Sequence, residues 1–371
     1  MKRLLPEAIV VCAILLVVSY GFAQAWTKTS AIAYAVSSIA LSADGKIISS
    51  VGSATPVVST NGGVTWTPIT PVTNIGHIAS SADGTKLIGV TDLADHVYVS
   101  KDSGKSWNPA GSLIQNWRAC AISADGSKLF AAVNGGLIFT STDFGTNWVS
   151  MGAPSNSWTC LALSAAGTIL AAGAQNDRIY ITTNSGVPKP STGSPSKSWL
   201  AIASSADGSH MVATGSGGTY TSTNSGGTWR SSSITGVSAA SSADGIKLII
   251  CNNYFVYTST NCGINWTTIS PSGYWFSVAS SADGGELLAG ENQGIWICHA
   301  TPFPLLNITL ADTNLDLSWL VPSTNLVLQQ SPDLISWSSV TSTPALNFTN
   351  LQNQATFPAT NGIGFFRLAT P

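Results

Sequence analysis

Residues 119–148 read ACAISADGSKLFAAVNGGLIFTSTDFGTNW, and this stretch decides the fold. A turn, Ser123-Ala124-Asp125-Gly126, is followed by a short apolar run, Lys128 to Val133. A loop at Asn134 to Gly136 leads to a second run, Leu137 to Thr140, and then to Ser141-x-Asp143-x-Gly145-x-x-Trp148. Both signatures recur along the chain. The Ser-Ala-Asp-Gly turn places its acid at Asp44, Asp83, Asp125, Asp207, Asp244 and Asp283, and a further copy at Ser164 to Gly167 carries Ala166 instead. Successive copies are 37 to 42 residues apart. A fixed period of this size marks a repeat architecture, and four short strands per period describe a sheet that is radially repeated to bury its edges.

The second signature recurs as Ser59 to Trp66, Ser100 to Trp107, Ser222 to Trp229 and Ser259 to Trp266. The fourth unit keeps only Thr182 to Gly186 and has no Trp at the expected place, and the seventh stops at Cys298-His299 without a box. These five boxes are those of the Asp-box (BNR) repeat, so the chain resembles the Asp-box β-propellers. That group includes sialidase-like, sortilin-like, xyloglucan-active and photosystem-assembly-factor-like proteins. The resemblance covers roughly residues 26 to 300 and implies an all-β, seven-bladed β-propeller. Relatives of this kind include enzymes, receptors and assembly factors, so the fold does not choose a function.

Closure of the ring has its own signal. The seventh unit lacks an outermost strand, and Trp26-Thr27-Lys28-Thr29 has the character of one. Trp26 precedes the serine of the next turn, Ser42, by 16 residues, matching the 15 or 16 that follow Trp66, Trp107, Trp148 and Trp266. Trp26 to Ser30 is therefore expected to pair with Gly294 to Cys298.

The box is a turn device. Its Asp or Asn side chain accepts backbone N–H bonds, and its Gly takes a positive φ. Asn61, Asp102, Asp143, Asn224 and Asn261, with Trp66, Trp107, Trp148, Trp229 and Trp266, are accordingly structural. Interchange of Asp with Asn fits a turn acceptor and not a catalytic carboxylate. Both repeated turns fall at one end of the sheets, so the variable loops gather at the other.

At that variable end the candidate ligand-binding residues are Asn176, Arg178, Asn253, Tyr254 and Asn292. Trp117, Trp158, Trp199 and Trp275 join them at the start of the innermost strands. Two readings stand for the tryptophans: rings that stack on sugar faces, or rings packed between blades. Glycoside hydrolysis requires two carboxylates, and Asp92, Asp95, Asp177 and Glu291 are the acids available for it. A sialidase is not expected, because the repeat region offers only Arg118, Arg178 and Arg230. His77, His96, His210 and His299 are scattered and no nucleophile elbow occurs.

The 371 residues carry 15 Lys+Arg against 17 Asp+Glu, a net charge of −2, with 9% charged and 44% hydrophobic residues. Such a chain lacks the cation clusters that nucleic acid demands and has ample material for a core. Lys2-Arg3, the apolar run Ala8 to Val18 and Ala23-Gln24-Ala25 read as a signal peptide over residues 1–25, cleaved after Ala25 or kept as an anchor. After cleavage no membrane span is expected, and the protein is secreted, either extracellular or periplasmic. Cys262 and Cys298, on one face of neighbouring units, are the pair placed for a disulfide. The spacing of the cysteines fits no zinc site, and neither metal nor cofactor is expected. Residues 301–304 form a linker. Residues 305–371 alternate apolar and polar residues, as in a small C-terminal β-sandwich-like module. Leu328 to Leu334, Trp337 and Gly364 to Leu368 resemble the reduced fibronectin-like modules at the C-termini of bacterial secreted proteins. The expected role is a monomeric protein that binds a carbohydrate or protein partner, or else a polysaccharide hydrolase.

Overall fold

The computed structural model describes residues 26–31, 36–52, 56–69, 75–270, 272–299, 306–311, 314–321, 326–332, 335–340, 344–358 and 365–369. The signal-like segment 1–25 and the linker 301–304 lie outside them. The described residues form 34 β-strands and no helix, so no helix there is long and apolar enough to cross a membrane.

Each repeat folds into an antiparallel sheet whose strands pair in chain order. Val36–Leu41, Ile48–Gly52, Val57–Ser59 and Thr67–Pro68 make one such sheet. Trp199–Ser204 to Arg230–Ser232 make another, and Ser238–Ser241 to Thr267–Thr268 a third. The second, third and fourth units fuse into one 11-stranded sheet. A 15-residue strand, Asn108–Ile122, joins the second and third, being outermost in one, with Asn108 opposite Val99, and innermost in the other, with Ile122 opposite Leu129; the third joins the fourth where Asn134 and Gly136 pair with Ser157 and Asn156. In the seventh unit Trp275–Ser280, Glu286–Glu291 and Gly294–His299 are followed by Trp26–Lys28, with Trp26 opposite Cys298 and Lys28 opposite Trp296. Lys28 Nζ also meets Glu291 Oε1 at 3.1 Å, and Thr29 N donates to Ile295 O at 2.9 Å.

The repeated turns explain why these strands form where they do. In the Ser-Ala-Asp-Gly turn the serine hydroxyl donates to the acid, as Ser81 Oγ does to Asp83 Oδ1 at 2.6 Å, and accepts the Lys86 N–H at 3.0 Å. Gly84 follows with φ +72°, a conformation that costs little only without a Cβ. The copy that has lost its acid keeps the serine contact, with Ile169 N on Ser164 Oγ at 3.0 Å. In the box, Asp102 Oδ1 accepts from Ser100 Oγ and from Ser106 N, and Asn61 Oδ1 accepts from Ser59 Oγ and Thr65 N in the same way. One side-chain oxygen is enough, so Asp and Asn serve equally.

The turn alanines meet at the centre. Ala43 N donates to Ala82 O at 2.8 Å, Ala82 to Ala124, Ala124 to Ala165, Ala165 to Ala206, Ala206 to Ala243, Ala243 to Ala282, and Ala282 back to Ala43 at 2.9 Å. Their methyl groups form a buried cluster that also takes in Val321, with Leu320, Leu346 and Leu351 packed against it. The residues beyond 305 thus cover the axis at the turn end and leave a cavity of about 160 Å³ beneath Leu351. They form two small sheets of their own. One runs Asn307–Ala311, Asn314–Leu320, Gln352–Pro358, Ala345–Asn347, and the other Ser338–Ser339, Val327–Ser331, Phe365–Ala369, around Leu317, Trp319, Leu328 and Ala355.

All five described cysteines are free thiols. The expected Cys262–Cys298 disulfide is absent: Cys298 is buried opposite Trp26, and Cys262 sits in the box turn at φ 55°.

Deleting residues 26–31 strips Trp26 from Trp275, whose ring it meets at 6.1 Å, and leaves Gly294–His299 as a bare edge. The expected loss is about 3 kcal/mol or more, on the scale of truncating a packed aromatic. It is read as a fall of several degrees in the melting temperature, and an unchanged value counts against this role of the strand.

Candidate functional site

At the end opposite the turns, the innermost strands share an irregularity. In six of them the pairing with the next strand skips one residue: Ser37, Gly76, Arg118, Thr159, Leu200 and Phe276. Such a bulge re-aims the extra side chain. Each bulged residue lies five before the serine of its turn, so all six stand at one level of the ring, around the axis at the loop end. Two of them stitch to the next unit, Ser37 Oγ to Gly76 O at 2.9 Å and Thr159 Oγ1 to Trp199 O at 2.8 Å. Leu200 and Phe276 instead turn apolar surface outward, 50% and 37% exposed.

Arg118 makes the polar side of this mouth. Its Nη1 donates to Asp92 Oδ1 at 2.6 Å, and His77 Nε2 lies 3.4 Å from the same oxygen. The His77 hydrogen bond is the main cause that holds the Asp92 carboxyl down at about 2; the charges of His77 and Arg118 add to it, and burial opposes it. Gly76 makes the approach feasible, because a Cβ there would stand 2.8 Å from Asp92 Oδ2.

The other acids are each occupied locally. Asp95 Oδ1 accepts from His96 N at 2.7 Å and from the Tyr98 hydroxyl. Asp177 repeats the pattern with Arg178 N and Tyr180, and adds Asn156 Nδ2 at 2.7 Å. The aspartate pairs raise the hydroxyl pKa of Tyr98 and Tyr180, after burial as the larger cause. Glu291 Oε1 accepts from Lys28 and from Trp296 Nε1. Asp95, Asp177 and Glu291 therefore shape loops and fix the first strand. Asp92, held as an anion, is the opposite of the neutral acid that a general-acid step would need.

The tryptophans require a correction. Trp117, Trp158, Trp199 and Trp275 are at most 1% exposed and offer no ring face to a ligand. They fill the space between neighbouring sheets, edge-on to Phe139, Tyr180, Tyr220 and Trp296 respectively. Three satisfy their indole N–H on a loop carbonyl, Trp117 on Asp95 O, Trp158 on Gly136 O and Trp199 on Asp177 O. Of the other predicted residues, Asn176 stands at φ 55° with its Oδ1 on Ser198 Oγ, and Arg178 Nη1 reaches Thr192 O at 3.4 Å. Asn253, Tyr254 and Asn292 are exposed.

Tyr254 belongs to a larger aromatic surface that sequence reasoning missed. Tyr254 and Tyr274 are each 62% exposed, and Phe255 is 36% exposed. The two loops are joined by Gly273 N on Tyr254 O at 3.0 Å, and Phe276 follows two residues after Tyr274. A signal for part of this was present in the sequence. The column five residues before each turn serine varies without pattern, while the residue before it is large and apolar in six units, Val36, Ile75, Trp117, Trp158, Trp199 and Trp275, and glycine, Gly236, in the other.

Replacing Asp92 with Asn removes a depressed carboxylate whose contribution is present above about pH 4 and fades as pH falls through about 2. The pair is half-exposed, so the loss at pH 7 is under about 1 kcal/mol. The stability gap between the two proteins should narrow as pH falls from about 4 to 2, and a gap that stays constant over that range rules out this assignment.

Comparison with known proteins agrees with the geometry. The BNR-Asp box repeat family matches residues 138–151. No curated protein matches the sequence. Among solved structures, YCF48 bound to D1 peptide superposes with TM-score 0.58 at 17% identity, over 80% of this chain and all of that one. YCF48 from Cyanidioschyzon merolae gives 0.59 at 15%, over 74% and 98%. The GH74 xyloglucanase from Xanthomonas campestris gives 0.61 at 14%, over 80% of this chain and 59% of the enzyme. At these identities the likeness is one of fold: the chain is an all-β protein of the propeller type that carries a BNR-Asp box repeat.

Proposed function

We propose that the chain is an exported, monomeric, seven-bladed β-propeller that binds a neutral carbohydrate at the loop-end mouth of its axis. Seven repeats whose turn alanines hydrogen-bond in a closed cycle support the blade count. The Trp26–Lys28 pairing supports completion of the last blade by the first strand. The apolar run ahead of Ala23-Gln24-Ala25 supports export, with residues 26–300 as the propeller and 305–371 as an accessory module after the 301–304 linker.

The observation that carries the reading is the exposed surface of Tyr254, Phe255, Tyr274 and Phe276 beside the amides Asn253 and Asn292. Flat rings stack on the C–H faces of sugars, and amides bond hydroxyls. Charge argues for a neutral ligand, because Arg118 is paired with Asp92 and Lys28 with Glu291. Binding without cleavage follows from the acids. Asp92 is held as an anion by His77 and Arg118, and Asp95, Asp177 and Glu291 each spend oxygens on partners in their own loops or strands, whereas hydrolysis needs a carboxylate free to face the sugar.

Affinity electrophoresis of residues 26–371 through neutral polysaccharides, with reducing ends assayed in parallel, tests the reading. Retardation without new reducing ends is expected. Tyr254→Ala and Tyr274→Ala should each weaken it by about fivefold, near 1 kcal/mol, while leaving the melting temperature in place. Reducing ends that vanish in Asp92→Asn would make the protein a hydrolase. No response in either channel would transfer the mouth to a protein partner.

A further inference from the structure

The third residue after the Asp position of each turn lies over the turn glycine of the next unit. Lys86 packs on Gly126, Lys128 on Gly167 and Lys247 on Gly284; Ile47, Ile169 and His210 take the same place on Gly84, Gly208 and Gly245. The three lysines do more than pack. Lys86 Nζ donates to Asp125 O, Lys128 Nζ to Ala166 O and Lys247 Nζ to Asp283 O, at 2.7 to 2.9 Å. At the seam where the seventh unit meets the first, this donor position is filled by Glu286, lying on Gly45. The side chain is buried, 3% exposed, and its Oε1 has no hydrogen-bond partner among the described residues.

We propose that Glu286 is a neutral carboxylic acid in the closed ring, and that its ionisation loosens the seam between the last unit and the first, so that the ring opens there as pH rises. Among the described residues no cation forms an ion pair with it: Lys247, on the sixth unit, spends its Nζ on the Asp283 carbonyl. Asp283 lies in its own turn, and His299 stands opposite it across the sheet. From the first unit come Asp44 and Lys46, whose Nζ is 3.7 Å from Asp44 Oδ2. The apolar residues packed on the alanine ring, Leu320, Val321, Leu346 and Leu351, bring no charge. The carbonyl equivalent to the lysines' acceptors is, in the first unit, that of Asp44; it would repel a carboxylate at position 286 and could accept from a carboxylic acid. Burial, then Asp283 and Asp44, push Glu286 up to about 8. The folded chain thus keeps a proton that the unfolded chain releases near 4.5. Stability declines as pH rises from there, and the decline is complete once pH passes about 8.

The test compares the full chain with Glu286→Gln by denaturant unfolding from pH 4 to 9. The wild type should lose stability relative to the variant by up to about tenfold in the unfolding constant per pH unit between about 4.5 and 8. A difference that stays constant over that range overturns the proposal. Two measurements on the wild type stand even if the variant fails to fold. The infrared carbonyl band of a protonated side-chain acid should persist at pH 7 and bleach near pH 8. Amide protection at Ala282, whose N–H crosses the seam to Ala43, should fall above pH 8 relative to Ala124. Absence of the band at pH 7, or equal protection at both alanines, overturns it.

Discussion

The closed cycle of alanine N–H···O=C hydrogen bonds is the constraint on which the rest depends. It ties the inner end of every sheet to the next through backbone alone, so the same turn must serve all seven positions. Only a small side chain fits where seven turns converge, and the alanine methyls leave room for Val321 and its neighbours to seal that end. With one end fixed by an invariant device, the sheets fan toward the other, where loops are free to differ.

The bulges convert this regular scaffold into a site. A strand that skipped no residue would bury every second inner side chain against its neighbours. One extra residue at the same level in six units instead delivers a ring of unlike groups: a hydroxyl, a bare glycine, a guanidinium and two apolar surfaces among them. Glycine at one of these positions matters as much as arginine at the next, because the missing Cβ admits the Asp92 carboxylate that neutralises Arg118. The mouth that results is polar on one side and aromatic on the other, with its bulge arginine paired to Asp92.

Much of this was legible from local chemistry. The turn serines, the box acids, the interchange of Asp with Asn and the partner of Trp26 all follow from spacing and hydrogen-bonding capacity within a few residues. The four inner tryptophans show where such reading ends. Their position in the repeat places them on the inner strands, but whether a ring faces the axis or the next sheet depends on the bulge beside it. That bulge is set by pairing with a strand a dozen or more residues away. The same holds for Asp95 and Asp177, whose loops fold back so that a tyrosine three residues on captures each carboxylate.

The sequence by itself determined the period, the turns and the all-β class, because each rests on short-range backbone geometry that repeats until it is unmistakable. Only the tertiary structure decided which side chains meet at the mouth, which carboxylates are free, and that the one acid at the lysine position lands in the seam. Those outcomes are fixed by packing between units, and packing brings together residues whose separation in the chain carries no trace of their contact.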